Sequence, residues 1–230
     1  MTRHLPLRTL PWLAAFLALA GAPTPVPAGV DGGDPMGLAS ALQRKYDAVR
    51  DFSADFVHTY EGGVLRKRVS ESGHLLVKKP GRMRWTYMEP EKKVFVSDGV
   101  RMYSYIPADR QVYVAKVPAE DQATTPALFL TGKGNLLRDF EVSAAEVPGG
   151  APAGSVALGL APRIKERDYD NLVLVVDRES LELRMLVSED RQGGRSSFAF
   201  SSLRENIGIH DREFTFKIPR GVEVITAATQ

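Results

Sequence analysis

The chain has 230 residues, with 30 Lys and Arg against 28 Asp and Glu, and it contains no cysteine. That balance excludes a strongly basic nucleic-acid binder. The missing cysteine excludes disulfides, thiolate metal sites and a cysteine-linked lipid after a leader.

The first 28 residues read as a secretory leader. Arg3 and Arg8 precede an apolar run from Leu10 to Ala20, and small residues follow around Val26-Pro27-Ala28, with cleavage expected after Ala28. The run is too short to span a bilayer, which takes roughly 18 apolar residues. It has no adjacent arginine pair, so general secretion is expected over the twin-arginine route. Taking away Arg3 and Arg8 leaves 28 basic residues against 28 acidic ones, a formally neutral mature chain. Residues 29–230 show no internal boundary and are expected to form one soluble domain.

"DPMGLASALQRKYDAVRDF" reads as an amphipathic helix. Asp34 suits its cap, Pro35 its first turn, and Met36, Ala39, Leu42, Tyr46 and Val49 recur at three and four. From Phe52 the period changes to two, with Phe52, Ala54, Phe56, His58 and Tyr60 alternating against mostly polar neighbours. Strands are expected from Val64 to Lys79 and over "RMRWTYM", "VFVSDGVRMYSY" and "RQVYVAKV", with Asp98-Gly99 as a hairpin. "TTPALFL" reads as a short helix opening at Thr125-Pro126. Strands resume at "DFEVSAAEV", "SVALGLAP", "NLVLVVD", "LELRMLVSED", "RSSFAFSSL" and "REFTFKIP", with turns at 178–180 and 191–194. About eleven strands with no βαβ rhythm predict a mainly β, antiparallel, strongly curved or barrel-like sheet.

Chemistry is largely missing. There is no nucleophile elbow, P-loop or dinucleotide fingerprint. His58, His74 and His210 are not at ligand spacing, and Asp109, Asp121, Glu189 and Asp190 fall mainly in turns. The pairs Lys78-Lys79 and Lys92-Lys93 read as solvated strand ends. No catalytic activity, metal or cofactor is expected.

Apolar side chains, by contrast, exceed what a one-sided core needs. In "GHLLVKKPGRMRWTYMEP", Leu75, Val77, Met83, Trp85 and Tyr87 share odd positions with Lys79 across a Pro-Gly turn. The Phe52 row, Phe95, and Met102 or Tyr103 add to them. A curved sheet with helices at its open side houses such a surplus and can leave a ligand cavity.

"VKKPGRMRWTYMEP", "VSDGVRMYSY", "TTPALFL" and "LVSEDRQGGRSSFAFSSLRENIGIHDREFTFKIPRGVEV" follow one another in an order and spacing that resembles the periplasmic outer-membrane lipoprotein carrier family, over Met36 to Val224. The resemblance implies an unclosed antiparallel β-barrel with helices over its mouth. It also implies a monomeric chaperone that takes acylated lipoproteins from an inner-membrane ABC exporter to an outer-membrane receptor. Leu42, Phe52, Phe56, Leu75, Val77, Met83, Trp85, Tyr87, Phe95, Leu128 and Phe129 would then line the cargo cavity. Lys79 stands where the family commonly has an arginine that latches the lid, and lysine lacks the planar fork. Two related classes share the shape: glycolipid carriers, and lipid- or lipoprotein-sensing regulators that usually carry a second domain.

Overall fold

The computed structural model describes residues 34–62, 68–117, 131–132, 134–147, 150–164, 169–190 and 193–226. The expected leader, the expected helix at "TTPALFL" and with it Leu128 and Phe129 lie outside those residues.

Helix α1 (Pro35–Ala48) is capped by Asp34, whose carboxylate accepts from the Gly37 N–H at 3.0 Å. It buries Leu38, Ala39, Leu42 and Tyr46. Met36, expected in that stripe, is exposed; Leu38, four residues before Leu42, continues the stripe instead.

Twelve strands follow: β1 (Asp51–Glu61), β2 (Arg68–Lys78), β3 (Arg82–Glu89), β4 (Lys93–Asp98), β5 (Arg101–Ile106), β6 (Gln111–Lys116), β7 (Phe140–Ala144), β8 (Ser155–Pro162), β9 (Asn171–Asp177), β10 (Leu183–Glu189), β11 (Arg195–Glu205) and β12 (Glu223–Thr226). They form one sheet in the order β12-β6-β5-β4-β3-β2-β1-β11-β10-β9-β8-β7. β12 and β7 are its two edges, so the barrel is unclosed. β1 joins the two halves by pairing with β2 on one side and β11 on the other. Register shifts at Ser53/Asp55, Ser72/Gly73 and Leu183/Met185 add the local bends that curve such a sheet. The expected hairpin at Asp98-Gly99 is present. Gly99 takes a φ of 97°, and the Asp98 carboxylate accepts from the N–H groups of Val100 and Arg101 at 2.8 and 2.7 Å.

One expectation needs correction. "REFTFKIP" is not a strand: Asp211–Phe214 is a 3-10 turn, and the last strand is β12, parallel to β6. The alternating Phe214 and Phe216 serve packing without a ladder. Phe214 is buried, and the Phe216 ring lies 5.4 Å from Tyr103 and 5.9 Å from Tyr105 on the outer face of the sheet. The pairing also decides between two neighbours that the alternation left open. Met102 pairs with Ser97 on the inner face, while Tyr103 faces outward opposite Val96.

The inner face carries α1 and the main core. A short helix, α2 (Leu136–Asp139), lies beside α1, with the Leu136 N–H donating to Gln43 Oε1 at 2.8 Å. The outer face of β2–β6 is covered in part by the C-terminal segment. Lys78 Nζ donates to the Ile209 carbonyl at 2.7 Å, and Arg84 to the Glu213 carbonyl at 3.2 Å.

Gly73 is a packing requirement of this arrangement. It pairs with Phe56, and a Cβ there would come within 3.0 Å of both the Thr86 carbonyl oxygen and the Phe56 ring. Gly73→Ala is therefore expected to lower stability by roughly 1–3 kcal/mol, the usual cost of overpacking. Equilibrium urea unfolding measures this, and an unchanged midpoint would contradict the packing described.

Candidate functional site: an apolar inner face with a lysine at its rim

Cross-strand register sorts the inner face into rows. Phe52, Val77, Met83 and Ser97 form one row across β1 to β4, and Ala54, Leu75, Trp85 and Phe95 form the next. Phe200, Phe56, Gly73, Tyr87 and Lys93 follow, and then Phe198, His58 and Glu71. Period-two alternation puts the odd positions of β2 and β3 on one side, and the buried residues of that side share a cluster with those of α1. Leu42, Phe52, Phe56, Leu75, Val77, Trp85 and Tyr87 belong to one buried cluster, with Met83 and Phe95 packed against it.

Aromatic contacts stiffen its centre. The Phe56 ring meets Trp85 edge-on at 5.0 Å and Tyr87 at 4.9 Å, and Trp85 lies 5.1 Å from Phe198. Each such pair adds about 0.5–1.5 kcal/mol beyond its burial. Phe198 and Phe200 were not among the residues singled out in the sequence. Their alternation in "RSSFAFSSL" marks them as one face of a strand, but only the pairing of β11 with β1 brings that face here.

Lys79 sits at one end of this surface, directly after β2. Its Nζ donates to the Tyr46 carbonyl in the last turn of α1 and lies 5.9 Å from the centre of the Tyr46 ring. A cation at a helix C-terminus also meets the negative end of the helix dipole. The other side of the lysine stem is covered by Thr131-Gly132. The Gly81 N–H donates to the Thr131 carbonyl at 3.1 Å, and a Cβ at Gly132 would come within 2.7 Å of Lys79 Cδ. Lys79 is thus no freely solvated strand end, as its neighbour pattern suggested. Burial pushes its ammonium below the ordinary lysine value, against the pull of Asp47 and Glu205. A cleft of about 520 Å³ beside it is lined by Asp47, Arg50, Asp51, Lys78 and Asn206 among others. The lining mixes these charged and polar groups with Val49, Pro80 and Gly208.

Lys93 also departs from the solvated role expected of it. Its ammonium pairs with Glu71, beside His58 and Tyr87. Burial holds the His58 imidazole below 6.5 even though Glu71 pulls it up, and Lys93 adds to the depression. Burial also raises the Tyr87 phenol above its ordinary value, with the Glu71 carboxylate adding to the shift.

Among the described residues no group of three or more His, Asp or Glu is placed to hold a metal ion, and no helix is long and apolar enough to cross a membrane.

The profile of the family described as "Outer membrane lipoprotein carrier protein LolA" matches residues 47–217, and the chain belongs to that family. An outer-membrane lipoprotein carrier protein from Chromohalobacter salexigens is 33% identical over 221 residues, covering 95% of this chain and 98% of its own. Another from Alkalilimnicola ehrlichii is 32% identical over 191 residues, covering 81% and 82%. A solved LolA superfamily protein from Nitrosomonas europaea aligns with a TM-score of 0.42 at 13% identity, over 77% of this chain and 97% of its own. The family is one of carriers, not enzymes.

The His58 environment has a consequence for pH. Unfolded His58 titrates at its ordinary 6.5 and the folded group titrates lower, so the stability it contributes is complete above 6.5. It is lost progressively as pH falls from 6.5 through the folded value. An NMR titration of the His58 ring is expected to give a midpoint below 6.5, and a midpoint at or above 6.5 would contradict the burial described. His58→Gln should flatten this part of the stability profile.

Proposed function

We propose that the chain is a periplasmic lipoprotein chaperone. Its leader is removed, and residues 29–230 act as one carrier domain. It receives acylated lipoproteins from an inner-membrane ABC exporter and passes them to an outer-membrane receptor. The acyl chains lie on the inner face, against Phe52, Phe56, Leu75, Val77, Met83, Trp85, Tyr87 and Phe95, with Leu42 of α1 above them. Leu128 and Phe129 belong to the same lining by resemblance alone.

The observation that carries this reading is the single apolar surface running across β1 to β4 and β11 beneath a helix. Each buried CH₂ is worth about 0.8 kcal/mol, so acyl chains are held there without covalent chemistry. Release requires that the empty state compete with the cargo. Helix α1 supplies that competition, because Leu38, Leu42 and Tyr46 share one buried cluster with the lining residues. Lys79 holds the helix down through its bond to the Tyr46 carbonyl.

A hydrogen bond to a charged group contributes about 1.5–3 kcal/mol. Lys79→Leu should therefore favour the open, loaded form and slow delivery by up to roughly a hundredfold, with loading intact. Lys79→Arg should deliver at least as well as the native protein. The experiment loads each variant with lipoprotein and follows its transfer to the receptor. Equal transfer by the leucine variant and the native protein would remove Lys79 from the gating scheme. Failure of the native protein to load at all would remove the carrier reading itself.

A further inference from the structure

The inner face does not end in apolar residues. At the end away from Lys79, the pair Tyr87 of β3 and Lys93 of β4 lies one row from the pair His58 of β1 and Glu71 of β2. Lys93 Nζ pairs with Glu71 and lies 5.7 Å from the centre of the Tyr87 ring. His58 Nδ1 is 3.5 Å from the Glu71 carboxylate and 3.4 Å from the Tyr87 hydroxyl, while its Nε2 is 2.7 Å from Ser196 Oγ. The group is largely covered: the side chains of Glu71, His58 and Lys93 are 13%, 18% and 23% exposed. It is continuous with the aromatic wall, because the Phe198 ring stacks on His58 at 4.1 Å.

A buried ion pair is a poor way to gain stability, since an apolar pair of similar volume often does as well or better. The donors here are also incompletely used. Among the described residues Lys93 Nζ has one hydrogen-bond partner, Glu71, for its three N–H groups. The contact between Tyr87 and His58, at 3.4 Å, is long for an O–H donor.

We propose that the His58–Glu71–Tyr87–Lys93 group is a binding site for the uncharged, carbonyl-bearing linkage that joins acyl chains to their carrier molecule, its ester or amide oxygens accepting from Lys93 and the Tyr87 hydroxyl. The proposal rests on the carrier reading and adds the orientation and the polar chemistry of the cargo.

Charge and length both support it. Glu71 already balances Lys93 and burial disfavours the charged form of His58, so a phosphate would arrive uncompensated beside the Glu71 carboxylate. A carbonyl oxygen brings no net charge. Lys79 is eight residues along the chain from Glu71, about 26 Å at some 3.3 Å per residue. An acyl chain in one leaflet reaches about 15 Å, half of a hydrocarbon core some 30 Å thick. A chain anchored at Lys93 therefore ends on the apolar rows without reaching Lys79.

The test compares three probes of equal chain length through Trp85 emission: a diacylglyceryl-ester cysteine peptide, its dialkyl-ether analogue lacking the ester carbonyls, and an anionic diacyl phospholipid. The native protein should bind the ester probe about tenfold more tightly than the ether. The paired variant Glu71→Gln with Lys93→Gln removes the charges together, leaves neither one buried alone, and should bring the ester-to-ether ratio toward one. Circular dichroism establishes that the variant is folded, and if it is not, Lys93→Arg, which keeps the charge and donors, should retain the preference. Equal binding of ester and ether by the native protein, or a preference that survives in the paired variant, would overturn this inference and leave the carrier reading intact. Tighter binding of the phospholipid than of the ester would overturn the assignment to an uncharged linkage. Binding of none of the probes would overturn the carrier reading along with it.

Discussion

The inner face of the sheet has to be covered. Leu75 and Val77 of β2, Phe52 and Phe56 of β1 and Trp85 of β3 place several large apolar groups on one continuous surface, and water against it is costly at about 25 cal/mol per Å². The sheet cannot cover the surface by closing on itself, because β7 and β12 remain separate edges. Something else must lie on it, and α1, which packs against β7, β8 and α2, contributes Leu38, Leu42 and Tyr46 to the same buried cluster. On the proposed reading, a helix and a set of acyl chains are interchangeable covers in this sense. The proposed carrier mechanism requires the two covers to be close in free energy, with small polar contacts deciding between them.

Those polar contacts stand at opposite ends of the same face. At one end Lys79 ties α1 to the sheet through the Tyr46 carbonyl, with Thr131-Gly132 lying across its stem. At the other, Lys93 is balanced by Glu71 and faces no helix carbonyl among the described residues. Two lysines of similar appearance in the sequence thus have different partners. One reads a helix terminus, and the other lies in a neutral polar group beside an aromatic wall.

Much of this was legible in the sequence because period-two alternation is a local property. The odd row of Leu75, Val77, Met83, Trp85 and Tyr87 lies on the inner face as its parity requires, and α1 begins at the Asp34-Pro35 signal. What the sequence withheld depends on long-range pairing. Nothing near Phe198 says that its strand lies against β1, so the second half of the aromatic cluster could not be placed. Lys93 looked solvated because its ion-pair partner, Glu71, lies on another strand. "REFTFKIP" alternates like a strand, yet its aromatic residues pack on the outer face of an existing sheet, where no ladder partner is needed. A two-residue period reports which side chains are buried together, not what their backbone bonds to.

The central claim is that acyl chains lie on the inner face and not elsewhere on the molecule. A photoreactive amino acid placed in turn at Phe95, on the inner face, and at Tyr103, on the outer face, tests it most directly. After loading with lipoprotein, illumination should cross-link the acyl chains at position 95 and leave position 103 unlabelled. Cross-linking at 103, or none at 95 in a protein shown to be loaded, would contradict the account.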